Sequence, residues 1–416
     1  MPLLFALSLC GIGAPALPAA DAGAFATNKY RNLFFEAGHS QKEISAKMES
    51  AFERLFHGDL ETQTVYYAAG KNANGPLGYL SDINNHDVRS EGMSYGMMIA
   101  VQLDKKVEFD ALWNWSKTYM YQSTPTHPSY GFFSWSIKVD GTPNSESPAP
   151  DGEEYWVMAL YFASGRWGNG QGIYDYRAEA DRLLDNMKNR KIIDGATIGG
   201  HETVGPEFHP EYMMVRFTPN LRRPDHTDPS YHLPAFYELW ARWGPVTDRS
   251  FWAEATKASR DFFQKVTNPV TALAPNYANY DGTPVPGSGG RNGNFGPDAW
   301  RTAANWAVDW SWWAADPRER ELSEKIQAFF ESQGMDVYGN MYTLDGKPLG
   351  GSHSTALVAT NAVASLAATN RERAAKFVEA LWKAEIPLGR YRYYDGMWYL
   401  MGLLHCGGEF RIWPPK

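Results

Sequence analysis

The chain has 416 residues, with 47 Asp and Glu against 39 Lys and Arg, which gives a formal net charge of −8. No run of Lys or Arg is present, so neither nucleic acid nor a membrane surface is expected as a partner. Aromatic residues make up 14% of the chain, which fits either sugar-stacking surfaces or bulky core filling.

Residues 1–22 combine an apolar stretch with small residues towards the end. This pattern is typical of a secretory signal peptide, although the usual Lys or Arg at the start is absent. Its removal would take away Cys10 and leave Cys406 as the one cysteine, which excludes an internal disulfide and a cysteine-based metal site. No later apolar run is long enough and free enough of charge to span a bilayer. The sequence therefore predicts a secreted protein.

Twelve segments show the spacing of apolar residues that is expected of α-helices. They lie at 41–57, 91–104, 107–121, 151–165, 173–188, 228–243, 249–266, 298–314, 317–333, 353–369, 371–383 and 391–405. Two kinds alternate: helices such as 371–383 have one charged face, whereas helices such as 353–369 carry no charge and must be buried on all sides. Six buried and six amphipathic helices predict an all-α fold, an (α/α)6 barrel formed by residues 23–416 as a single domain.

The few charges of the predicted inner helices lie at their starts. They are Glu91, Asp151, Asp228 and Asp298, with Glu153 and Glu154 close behind Asp151. One such acid alone is typical of a helix cap or a first-turn carboxylate. Four of them at one mouth of a barrel, beside Trp and Tyr, suit glycosidic hydrolysis, which needs an acid for the leaving oxygen and a base for water.

Five motifs resemble glycoside hydrolase family 8, and its xylan-active branch in particular. They are RSEGMSYGMM, PAPDGEEYWVMALYFASGRWG, TDPSYHLPAFY, DAWRTAANWAVD and GRYRYYDGMWYLMGLLH, in unchanged order from about residue 30 to the C-terminus. The resemblance implies an (α/α)6 barrel and an inverting β-1,4-glycanase. By motif match, Glu91 would be the general acid and Asp298 the general base. Asp151 would hold the distorted sugar, and Tyr231 would position the water and the base.

The same motifs imply a sugar-binding surface. Arg301 would stabilise the charge of Asp298 or contact sugar, and Trp135, Tyr393 and Tyr394 would belong to the binding surface. The apolar run after Glu91 predicts a raised pKa for this acid, whereas Arg301, one helical turn after Asp298, is expected to keep that carboxylate ionised. An ordinary helix salt bridge is the alternative for that pair.

Other candidate groups fit a structural role better. Asp281 stands in an Asp-Gly turn dipeptide, so a turn is favoured over catalysis. No two of the His residues near 201–232 and 353 have a spacing typical of catalytic zinc, so no metal and no cofactor are expected.

The segment 345–362 bears on the mode of cleavage. In relatives that release xylose from the reducing end, a loop with a Leu-His-Pro sequence closes the cleft, and this chain has LGGSHS there. We therefore expect a secreted, monomeric endo-acting enzyme on xylan and xylo-oligosaccharides, with His353 as a reducing-side contact. The alternative is a reducing-end xylose-releasing exo-oligoxylanase. An endoglucanase of the same family, a non-catalytic glycan-binding barrel and a terpenoid cyclase are less favoured.

Overall fold

The computed structural model describes residues 22–287 and 291–416. The predicted signal peptide, residues 1–22, lies outside the described residues except for Ala22. In the described part of the chain no helix is both long and apolar enough to cross a membrane.

Every one of the twelve predicted helices is present. Six form the outer layer: α3 (Gln41–His57), α5 (Lys106–Trp115), α7 (Tyr176–Asn189), α9 (Arg249–Val266), α11 (Arg318–Ser332) and α13 (Arg371–Lys383). Six form the inner layer: α4 (Ser90–Gln102), α6 (Pro150–Trp167), α8 (Pro234–Trp243), α10 (Trp300–Trp313), α12 (Thr355–Val363) and α14 (Arg392–Cys406). Two short helices, α1 (Ala24–Thr27) and α2 (Leu33–Glu36), precede them. The predicted (α/α)6 barrel is confirmed.

Packing of the inner helices closes a ring. Helix α4 packs on α6, α10 on α8 and α12, and α14 on both α12 and α4, so the last inner helix meets the first. Between α6 and α8 the rings of Tyr155 and Phe236 are in contact, 5.2 Å between their centres. Each outer helix packs on at least one inner helix, for example α5 on α4 and α9 on α8, and α13 contacts both α12 and α14. The approach of α6 to α4 requires a glycine, because a Cβ at Gly152 would lie 2.6 Å from Cβ of Ser90. A substitution there would push apart the two helices that carry Asp151 and Glu91.

The C-terminal segment is hydrogen-bonded to the C-terminal ends of two inner helices, α4 and α6. Gln102, at the end of α4, donates to the Arg411 carbonyl at 2.8 Å and accepts from its backbone N–H at 3.1 Å. The Lys416 N–H donates to the Ser164 hydroxyl at 3.2 Å, near the end of α6. The single free cysteine of the described chain, Cys406, is buried at the end of α14.

Nine short strands lie between the helices of the described chain. They are β1 (Tyr66–Asn72), β2 (Gly75–Leu80), β3 (Asp87–Arg89), β4 (Ser136–Lys138), β5 (Pro143–Ser145), β6 (Ile193–Thr197), β7 (Gly200–Val204), β8 (Met341–Tyr342) and β9 (Pro348–Gly350). They pair antiparallel as β1–β2, β3–β4–β5, β6–β7 and β8–β9. Because β3 runs directly into α4, the three-stranded sheet lies at the mouth where the inner helices begin.

Four inner helices, α8, α10, α12 and α14, begin later than predicted, and the delays of α8 and α10 bear on the site. Helix α8 starts at Pro234, because residues 229–231 form a separate 3-10 turn. The Ser230 N–H of this turn donates a hydrogen bond to the side chain of Asp228 at 2.7 Å. Helix α10 starts at Trp300, so Asp298 lies in the turn before it. A side chain just before a helix is free to face the barrel mouth.

Candidate active site

A cleft of about 630 Å³ opens at the N-terminal ends of the inner helices. Six of the predicted site residues lie on its wall: Glu91, Trp135, Asp151, Tyr231, Asp298 and Arg301. They come from the starts of α4, α6 and α10 and from the loops before α6 and α8. The fold thus brings together residues that are more than 200 positions apart in the sequence.

Arg301 lies at the centre of four carboxylates. Its Nη1 is 3.0 Å from Glu91 Oε2 and 3.0 Å from Asp151 Oδ2. Its Nη2 is 3.9 Å from Asp228 Oδ2 and 3.9 Å from Asp298 Oδ1. One guanidinium cannot neutralise four ionised carboxylates in a buried site, so some of these acids must hold protons near neutral pH.

The shared contact with Arg301 limits the distance between the two predicted catalytic acids. Glu91 and Asp298 lie 3.0 and 3.9 Å from the two Nη atoms. Because those atoms are about 2.3 Å apart in the planar guanidinium, the two carboxyl oxygens are at most about 9 Å from each other. This limit is compatible with the ~6.5–9.5 Å that inverting glycosidases need to fit a water molecule.

The environment of Glu91 favours its protonated form. Burial raises its pKa from 4.5 to about 7, helped by the negative charges of Asp151 and Asp298 and opposed by Arg301 and Arg89. A carboxyl group with a pKa of 4.5 would be less than about 1% protonated at pH 7, whereas Glu91 is about half protonated. The raised pKa thus increases the fraction of Glu91 that carries a proton at pH 7 by about two orders of magnitude.

Asp298 is more accessible to water than the other three acids. Its side chain is 37% exposed, against 18% for Glu91 and 1% for Asp228. Removal from water raises the pKa of Asp298, although Arg301, Arg89 and a hydrogen bond with Tyr277 all act to lower it. Arg301 acts on Asp298 in the expected direction, because its positive charge lowers the pKa of this carboxyl group, but it is one of several influences.

Helix capping does not explain these acids as a group. The N-caps of α4, α6 and α10 make no side-chain cap hydrogen bond, and Glu91 contacts Arg301 and Tyr393 instead. Only Asp228 acts as a cap, and one of its oxygens is buried without a hydrogen-bond partner in the described chain. Asp151 accepts from Gly152 N–H at 3.0 Å while its other oxygen contacts Arg301.

Tyr393 and Tyr394, which were predicted for the sugar-binding surface, are not among the residues that line this cleft but contact its acids or the segment that carries them. The Tyr393 hydroxyl donates to Glu91 Oε1 at 3.4 Å. This ring fits because residue 92 is glycine, where a Cβ would lie 2.4 Å from ring atoms of Tyr393. The Tyr394 hydroxyl donates to the Pro297 carbonyl at 2.9 Å and so holds the segment that carries Asp298. Both tyrosines therefore position the acids.

Two aromatic side chains contribute to the cleft wall as predicted. Trp135 is 36% exposed, and the Arg89 guanidinium lies 5.6 Å from the centre of its ring. Tyr231 is almost fully buried, with Arg301 5.4 Å from its ring centre. An exposed indole and a buried phenol suit, respectively, stacking on a sugar ring and holding a fixed position near the acids.

His353 does not reach this cleft. It lies on a separate cavity beside α13, and its ring contacts the Tyr338 carbonyl at 2.9 Å.

The side chain of Asp281 accepts hydrogen bonds from the Thr283 N–H and hydroxyl at 2.9 and 2.6 Å, which is the turn that the sequence favours. Across residues 22–287 and 291–416 no group of three His, Cys, Asp or Glu side chains is arranged to hold a metal ion.

Several residues of the cleft wall could not be recognised in the sequence. Tyr277, Phe217 and His226 come from long irregular loops without periodicity, and they meet the acids only through the fold. Phe217 stacks near Tyr231 at 6.1 Å between ring centres. Arg89 had one available signal, because it stands two positions before Glu91 on the same strand-to-helix junction.

A barrel of this kind, with two carboxyl groups in an aromatic-walled cleft, defines a glycoside hydrolase. The sequence profile of the glycosyl hydrolases family 8 matches residues 73–408. The chain belongs to this family.

Known relatives cover nearly the whole chain. The reducing-end xylose-releasing exo-oligoxylanase Rex8A of Paenibacillus barcinonensis is 44% identical over 94% of this chain and 98% of its own length. The corresponding enzyme of Halalkalibacterium halodurans is 42% identical over 95% and 97%. A catalytic mutant of a family 8 xylanase from Teredinibacter turnerae, solved with xylohexaose, is 55% identical with a TM-score of 0.93, covering 94% of this chain and all of that one.

Proposed function

We propose that this protein hydrolyses β-1,4-xylosidic bonds with inversion of configuration. The observation that carries the proposal is the contact of one guanidinium, Arg301, with both Glu91 and Asp298 in a single cleft. The named activities of the relatives support xylan-derived substrates. We also propose that the protein is exported, because residues 1–22 have the pattern of a signal peptide.

The reaction needs one proton donor and one proton acceptor. Glu91 gives its proton to the glycosidic oxygen as the bond to the anomeric carbon breaks. Asp298 takes a proton from the water that attacks the opposite face of that carbon. Arg301, 3.0 Å from Glu91, stabilises the carboxylate that forms on this residue when its proton is lost.

Release of xylose from the reducing end is the mode of cleavage that the curated relatives support. Both enzymes named above carry that activity, which favours the exo-acting alternative over internal cleavage. Internal cleavage is the second candidate, because Leu349 and the residues around it are exposed and no residue of 345–362 lies on the cleft wall. The xylanase with bound xylohexaose also supports it.

A product time course on xylohexaose labelled with oxygen-18 at the reducing end separates the two modes. Labelled xylose as the sole labelled early product supports exo action. Early labelled xylobiose and xylotriose support internal cleavage. No product from any xylo-oligosaccharide would overturn the proposed substrate, and a first-formed β-anomer in proton NMR would overturn inversion.

Substitution of the two acids tests their roles. Glu91→Gln and Asp298→Asn should each lower kcat by about 10²–10⁴-fold. The control is circular dichroism, which should be unchanged. Turnover close to wild type in either variant would remove that residue from the mechanism.

A further inference from the structure

The wall of the cleft carries three arginines, and two of them are neutralised. Arg301 contacts four carboxylates, and Arg89 pairs with Asp82 and Asp87 at 3.3 and 3.2 Å. Arg223 has no acid within ion-pair distance and no side-chain hydrogen bond among the described residues. Its guanidinium is therefore an available positive charge in a chain with a net charge of −8.

Two acidic side chains in this region of the molecule already have hydrogen-bond partners. Both carboxylate oxygens of Glu202 accept from the hydroxyl of Ser147, at 2.7 and 2.8 Å. Asp225, two positions after Arg223, pairs with Arg216 and accepts from the Tyr280 hydroxyl at 2.6 Å. Neither acid lies within ion-pair distance of Arg223.

The backbone of Arg223 is held by a turn that is hydrogen-bonded to the β6–β7 hairpin. Leu221 N–H donates to the Thr203 carbonyl at 2.7 Å, and Arg223 N–H donates to the Asn220 carbonyl at 2.9 Å. Pro224 follows and restricts the backbone of Arg223 further. Ligand binding would thus cost the conformational entropy of one side chain, without the further entropy cost of ordering a flexible loop.

A neutral xylose chain needs no free positive charge for recognition. A carboxylate does, because a guanidinium binds it with two parallel, charge-assisted hydrogen bonds. We propose that Arg223 binds the carboxylate of a uronic acid branch on a xylan main chain lying in the cleft. This inference rests on the proposed function and adds acidic, branched xylan fragments to its substrates.

The test compares kcat/KM on three oligosaccharides with the same main chain: one linear, one with a glucuronic acid branch and one with a neutral arabinose branch. In Arg223→Gln the ratio of acidic to linear kcat/KM should fall about tenfold, which is the effect of one lost charge-assisted hydrogen bond. The ratio of arabinose-branched to linear should stay constant. Added salt should lower the acidic ratio of the wild type and have less effect on the variant.

Arg222→Gln is the matched control, because Arg222 lies 3.8 Å from Asp194 and is not on the cleft wall. Its acidic-to-linear ratio should equal that of the wild type. An unchanged ratio in Arg223→Gln, or an equal loss on all three substrates, would overturn the inference while leaving the proposed function intact. Failure of the wild-type enzyme on the linear oligosaccharide would instead overturn the proposed function.

Discussion

Substitution of Asp151 by Asn should move the alkaline limb of the pH profile to lower pH. Glu91 must be protonated to act as the acid, so kcat/KM falls as the pH rises through its pKa of about 7. Asp151 is one of the groups that raise this pKa. Its charge is replaced by a neutral amide of the same shape, so Glu91 should ionise more easily.

The structure sets the size of this shift. Glu91 and Asp151 both lie 3.0 Å from Arg301 Nη1. At an effective dielectric constant of about 20, two charges about 6 Å apart interact by roughly 3 kcal/mol, or about two pKa units. This value assumes a fully ionised Asp151, whereas burial raises the pKa of Asp151 itself and so reduces its mean charge. We expect the limb to move by about one pH unit.

The assay is kcat/KM on xylohexaose from pH 4 to pH 9, with each profile normalised to its own maximum. The wild-type profile should fall to half near pH 7, and that of Asp151→Asn near pH 6. Melting temperatures across the same range exclude unfolding as the cause. A limb at the same pH in both proteins, or one displaced upwards in the variant, would refute the electrostatic argument.

Two further predictions concern residues behind the cleft. Gly92→Ala should displace the Tyr393 ring and lower kcat/KM by about tenfold, because Glu91 loses a hydrogen-bond donor. Tyr393→Phe should give a similar loss of kcat/KM. Wild-type kinetics in both variants would show that the contact between Tyr393 and Glu91 is unimportant. Glu207 is fully buried without a hydrogen-bond partner for either oxygen in the described chain, and its pKa is raised well above the usual value by burial. Below the unfolded-state pKa of about 4.3 the group is protonated in both states, and above it ionisation stabilises only the unfolded chain. The melting temperature should therefore fall less from pH 5 to pH 8 in Glu207→Gln than in the wild type, and parallel curves would contradict the assignment.

Three of the six outer helices could be predicted to the residue because their signals are local. Helices α3, α9 and α13 have the bounds that the apolar spacing predicts. Two of them begin with a recognisable cap: Ser40 before α3, paired with Glu43 in the first turn of that helix, and Asn370 before α13. The start of α8 was placed six residues too early because apolar spacing continues through the 3-10 turn at residues 229–231.

Long-range contacts set the limit of the prediction for the site. The acids stand at helix starts, where charge interrupts an apolar pattern, and could be picked out one by one. The contact of Tyr277 with Asp298 and the position of His353 on another cavity depend on loops whose paths carry no periodic signal. The strands were missed for a related reason, because segments of two to seven residues are too short to show alternation.

The closure of the inner ring by α14 against α4 has a consequence for synthesis on the ribosome. About 300 residues separate the two helices. At roughly 5–20 residues per second, the ribosome needs about 15–60 s to synthesise this intervening segment. During this time α4, which is buried on nearly all sides in the finished protein, lacks one of its neighbours. The nascent chain therefore presents an apolar helical surface for many seconds, and a chaperone that binds such surfaces would have its longest opportunity at this first inner helix.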